Sequence, residues 1–149
     1  MIKRATGIFP VLLIISFLLA GCASGPAKQE GKQNSAVVME LVKSITSWDG
    51  ELLPAYPEGR PEITILRISI PAGTRLHTHS HPVINAGVLI SGELTVVSTE
   101  GEILHLRAGE PIVEVVDKLH YGINEGVVPA EIIVFYAGSA GSPITVIEK

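Results

Sequence analysis

Residues 73–92 read Gly73-Thr-Arg-Leu-His77-Thr-His79-Ser-His81-Pro-Val-Ile-Asn85-Ala-Gly-Val-Leu-Ile-Ser-Gly92, and the reading of the fold turns on this stretch. His77, His79 and His81 alternate with Thr78 and Ser80. Side chains along a strand alternate between its faces, so the three imidazoles share one face at intervals of roughly 6–7 Å. Two neighbouring rings can then tilt towards one point and offer nitrogens to one cation. Asn85 follows His81 on the same parity and is the next polar group available to that point. A strand serving only stability would carry Val or Ile here, because a buried imidazole needs partners for both nitrogens. The plainer alternative is a polar strand whose histidines face solvent.

A second stretch answers the first. Residues 109–124 read Gly109-Glu-Pro-Ile-Val-Glu114-Val-Val-Asp117-Lys-Leu-His120-Tyr-Gly-Ile-Asn124. Together the two resemble the paired motifs of the cupin superfamily. Gly73, His79, His81, Asn85 and Gly92 fall at the spacing of the first motif, with Asn85 where the family usually has Glu. Gly109, His120 and Asn124 match the second, whereas Val115 and Asp117 stand in place of its Pro and Gly. Glu93 to Ala108 separates the two, a hairpin's length. Either motif alone is a weak signal, and the joint spacing is a specific one.

The resemblance implies an all-β cupin jelly-roll barrel in a single domain, in which His79, His81 and His120 bind a metal. Asn85 then lies near a fourth position, as a weak ligand or just outside the ligand set. Three imidazoles suit a divalent first-row ion, and Fe, Mn, Ni, Cu and Zn all remain open. Replacing a carboxylate by an amide leaves a dication uncompensated, which lowers affinity and draws in an anionic or chelating small molecule. The same replacement is compatible with a site that has lost its metal. His77 lies outside the family pattern and is either a cavity contact or a wall histidine. His105 reads as a surface residue and Asn124 as a turn-satisfying amide. Asp117 reads as a residue tolerating positive φ, and Tyr121, Tyr136, Phe135 and Trp48 read as barrel core, with a cavity lining as the alternative. Glu110 and Glu114 are candidate acids, but beside a Gly-Pro turn they are expected in solvent.

The first residues carry a different message. Lys3 and Arg4 precede an apolar run from Gly7 to Ala20, too short for a comfortable membrane span, then Leu19-Ala20-Gly21-Cys22. This resembles a bacterial lipoprotein signal. It implies cleavage of residues 1–21 and lipidation of Cys22. Ala23 and Ser24 resemble an outer-membrane sorting signal facing the periplasm, if the cell is Gram-negative. Cys22 is the only cysteine, which excludes an internal disulfide and a thiolate metal site. Removing Lys3 and Arg4 with the signal moves the formal charge from −4 to −6, against nucleic acid or an anionic surface as partner.

Residues 22–36, rich in Gly, Ser, Lys and Gln, read as a flexible tether, leaving 37–149 as the cupin domain. Val37 to Thr46 is expected as a strand for its β-branched content, although its apolar spacing also fits a helix. From Glu62 onward short apolar segments alternate with Gly- and Pro-containing turns: 63–70, 75–81, 84–90, 93–99, 102–107, 112–116, 119–121, 131–136 and 144–147. Two functions remain open. One is a metal-dependent enzyme with dioxygenase-like chemistry on a small molecule, and the other is a non-catalytic binding module or accessory lipoprotein. The resemblance also implies a homodimer.

Overall fold

The computed structural model describes residues 35–149. The signal segment 1–21, Cys22 and nearly all of the tether 22–36 lie outside the described residues. Nine strands and no helix are found among those described: β1 (Pro61–Ile70), β2 (His79–Ser80), β3 (Ile84–Ser91), β4 (Glu93–Ser98), β5 (Ile103–Arg107), β6 (Pro111–Val113), β7 (His120–Ile123), β8 (Ala130–Ser139) and β9 (Val146–Ile147). They form two antiparallel sheets, in the orders β1-β8-β3-β6 and β5-β4-β7-β2-β9. Consecutive strands cross repeatedly from one sheet to the other, which makes the fold a jelly roll rather than a meander.

The period-two patterning builds the interior. Along β8, Ala130, Ile132, Val134 and Tyr136 are buried while the residues between them face outwards. Leu94 and Val96 of β4, Leu89 of β3, Ile70 of β1 and Ile112 of β6 complete the apolar packing. Each fully buried aliphatic side chain of this size contributes about 1.5–3 kcal/mol relative to exposure. The glycine that ends the first motif is required sterically. Gly92 has a φ of 74°, and a Cβ there would lie 2.7 Å from the Pro129 carbonyl oxygen and 2.8 Å from Ala130 Cα. No side chain fits where this turn crosses the start of β8.

Two expectations are corrected. Val37 to Thr46 forms no strand: Val37, Val38 and Met39 are exposed, and Thr46 makes only an isolated bridge to Leu52. Strand propensity expresses fit to a half-buried pleated surface, and no strand among the described residues runs beside the segment. The expected strand 75–81 is regular only at His79–Ser80. Its first half meets β7 through a single bridge, Arg75 to Ile123, and a bond from the Leu76 N–H to the Gly122 carbonyl (2.9 Å).

Candidate metal centre

The histidine cluster follows from strand register. His79 and His120 are direct partners in the antiparallel pairing of β2 with β7, so their side chains leave the same face side by side. His81, two residues beyond His79, returns to that face. The ring centroids are 4.5 Å apart for His79–His120, 4.9 Å for His79–His81 and 5.1 Å for His81–His120. One nitrogen from each ring lies within 4.8 Å of the other two.

Each ring is held by a backbone carbonyl that its Nδ1 reaches. His79 Nδ1 donates to the His77 carbonyl (2.8 Å), His81 Nδ1 to Ile144 (2.8 Å) and His120 Nδ1 to Lys118 (2.9 Å). A carbonyl oxygen only accepts, so the proton sits on Nδ1 in all three rings and the Nε2 lone pairs are left free. This is how metal-binding imidazoles are commonly fixed in tautomer and direction. Burial lowers all three pKa values, His81 to about 4, against the opposing effect of the carbonyl bonds. The trio is therefore neutral at pH 7, in its metal-binding form. His120 Nε2 is buried and has no hydrogen-bond partner. An orphaned acceptor beside two similarly oriented rings fits a dication.

Sequence reasoning names Glu114 as a candidate acid but misplaces it. It is buried at 8% exposure, whereas solvent was expected. The strand pairing sets Ala86 against Val113, which puts Glu114 opposite Asn85, and the Glu114 N–H bonds the Asn85 carbonyl (3.1 Å). Its Oε2 lies 3.8 Å from His120 Nε2 and has no hydrogen-bond partner. Burial pushes its pKa up to about 7, with the nearby Trp48 indole opposing the rise. A parity signal was available, since Glu114 shares the inward parity of Ile112. Asn85, 1% exposed, donates only weakly to Val83 (3.4 Å) and leaves its Oδ1 unpartnered. It does not line the cavity in front of the histidines; Glu114 does.

That cavity has a volume of about 290 Å³. The three rings, Glu114, Tyr136 and Thr145 make its polar end, and side chains such as Ile68, Leu76, Val96 and Ile132 line the rest. The Tyr136 ring stands 5.4 Å from His81, and its hydroxyl is pushed up to about 12 by burial and by Glu114, so it remains a neutral donor. His77 is exposed but borders the same cavity, and its carbonyl positions His79. His105 is exposed and bonds Thr95 Oγ1 (3.0 Å) away from the cluster. Asp117 adopts a φ of 57°. Two of the aromatics expected in the core lie elsewhere. Phe135 is 49% exposed on the outward parity of β8, and Tyr121 is half-buried beneath the Arg75 guanidinium, 3.7 Å from its ring centroid.

Comparison with known proteins agrees with this architecture. Residues 66–136, just under half of the chain, match the Cupin domain family. No curated protein matches the sequence. Among solved structures, the DMSP lyase DddQ from Ruegeria pomeroyi is 18% identical with a TM-score of 0.51, over 57% of this chain and 42% of that one. Lactobacillus farciminis oxalate decarboxylase is 19% identical with a TM-score of 0.50, over 57% of this chain and 26% of that one. An uncharacterised double-stranded β-helix protein from Klebsiella pneumoniae is 20% identical with a TM-score of 0.49, over 74% of this chain and 99% of that one. The chain spans less than half the length of the lyase and the decarboxylase, and at these identities the likeness is one of fold. Residues 66–136 match the cupin domain family, and the two-sheet barrel built around them has the cupin jelly-roll fold.

Proposed function

We propose that this protein is an exported, lipid-anchored cupin that binds a divalent first-row transition metal through His79, His81 and His120 and acts on a small molecule held in the adjoining cavity. One observation carries the reading: three clustered imidazoles, His81 and His120 buried and His79 half-buried, have Nδ1 committed to carbonyls and their Nε2 lone pairs free. A bound dication would supply Lewis-acid or redox chemistry to a substrate coordinated beside it. The remaining work falls to the chain. The aliphatic walls exclude water, and the Tyr136 hydroxyl offers a neutral donor at the polar end. The described lining contains no Lys or Arg, so an anionic or chelating ligand would be held by the metal itself. The lipid anchor at Cys22 rests on the sequence of residues 1–24. A homodimer is supported by the exposed Ile63, Ile65 and Phe135 on the outer face of β1 and β8, and by β1 being a sheet edge.

The test is elemental analysis of the full-length protein, purified in detergent from its own membrane, followed by oxygen uptake with a panel of small acids and chelators. About one equivalent of a transition metal is expected, and a protein that carries none and takes up none on titration overturns the proposal. The mostly aliphatic lining favours a second reading, a metal-bearing binding module without turnover. Thermal stabilisation by a panel compound without its consumption would select that reading.

A further inference from the structure

We infer that Glu114 supplies the counter-charge of this metal site, a carboxylate delivered from the end of β6 rather than from position 85 of β3. The inference rests on the metal reading above. Its ground is a pair of orphaned atoms. His120 Nε2 and Glu114 Oε2 are both buried, both without a hydrogen-bond partner, and 3.8 Å apart. That separation is too long for a hydrogen bond. It falls in the range of about 3–4 Å that separates two ligand atoms sharing one cation at bond lengths near 2 Å.

Charge leads to the same residue. Three neutral imidazoles leave a dication uncompensated, and Glu114 is the one acidic side chain among the described residues that line the cavity. A buried carboxylate without a partner is costly, and so is a buried dication; each offsets the other. The register places the two positions side by side. Asn85 and Glu114 are cross-strand partners on one face of the β3–β6 ladder, so a carboxylate on either residue starts from neighbouring Cβ positions about 4.5–5.5 Å apart. The amide at 85 therefore does not leave the site neutral.

Titration of full-length, metal-stripped protein with Zn²⁺ by calorimetry, and with Co²⁺ by its visible absorption, tests this without any assay of activity. Glu114→Gln is expected to weaken binding of both ions about 10–100-fold and to change the Co²⁺ spectrum. Returning a carboxylate at the partner position, in the double variant Glu114→Gln/Asn85→Glu, is expected to recover most of that loss. Wild-type affinity and an unchanged spectrum in Glu114→Gln, with binding still abolished in His120→Ala, would overturn the inference and leave the metal site standing. A loss that accompanies a lowered melting temperature and is not recovered by Asn85→Glu would also overturn it. Wild-type protein that binds neither ion would remove the metal reading itself, and the inference with it.

Discussion

Asn85 and Asn124 are sealed from solvent to the same degree, at 1% and 0% exposure, yet their surroundings treat them in opposite ways. Asn124 is saturated. Its Nδ2 donates to the Ile70 carbonyl (2.9 Å) and the Val128 carbonyl (2.8 Å), and its Oδ1 accepts from the Gly126 N–H (3.0 Å). It ties the end of β1 to the turn before β8. Asn85 sits in a neighbourhood of unmet demand, where its own Oδ1, Glu114 Oε2, the Trp48 Nε1 and His120 Nε2 all lack partners. Folded proteins satisfy nearly all buried polar groups, because each orphan costs about 1–3 kcal/mol. Complete satisfaction at Asn124 marks a structural amide, whereas the orphaned atoms around Asn85 fit the metal site proposed above.

The sharpest separation comes from deleting the ligands. His79→Ala, His81→Ala and His120→Ala are each expected to abolish stoichiometric metal binding, while His105→Ala, on the outside of the barrel, binds as wild type. Metal retention equal in all four, measured by elemental analysis, would show that the cluster is not the site. Asn124→Ala should do the reverse. It leaves two carbonyls and an N–H without partners, which should lower unfolding free energy by about 2–4 kcal/mol in urea while metal stoichiometry is unchanged.

Smaller effects appear in the pH dependence of the metal-free protein. The histidines, His81 above all, have folded pKa values below the ordinary 6.5. Their stabilising contribution is complete above pH 6.5 and is lost as pH falls towards about 4. Glu114 acts in the opposite sense. Its folded pKa of about 7 lies above the ordinary 4.5, so its contribution is complete below pH 4.5 and is lost as pH rises through 7. In Glu114→Gln the second effect is absent, so its stability relative to wild type should climb by about 2–3 kcal/mol between pH 4.5 and 8. Parallel stability profiles for the two proteins would contradict the buried environment of Glu114.

The smallest effect belongs to the structural ion pairs. Lys118 Nζ contacts Asp49 (2.6 Å), Glu51 (3.0 Å) and Glu100 (3.1 Å), joining the loop before β1 to the β4–β5 turn. Burial would raise the Asp49 carboxyl, but bonds from Lys118, Ser47 and the Glu51 backbone outweigh it and hold it below 3.8. Its stabilisation is present above that pH and fades as pH falls below it. Asp49→Asn should therefore lose about 1 kcal/mol at pH 7 and nothing further in acid, as read from melting temperature against pH.

Much of the barrel is visible in the primary structure because β patterning is local. The alternation in 84–90, 93–99 and 131–136 predicts strands that form within one to three residues of those limits. Val37 to Thr46 shows the limit of such reasoning, since its residues suit a strand but among the described residues it meets only the short bridge from Thr46 to Leu52.

For the site, the spacing of His79 and His81 and the motif position of His120 are matters of sequence, because a period of two and a fixed motif interval need no knowledge of the rest of the fold. The carbonyls of His77 and Lys118 lie two residues from the rings they hold, but the pairing of His79 with His120, the Ile144 carbonyl that holds His81, and the burial of Glu114 opposite Asn85 come from elsewhere. They arise when segments 29 to 63 residues apart in the chain are brought into register, and long-range register is set by closure of the whole barrel.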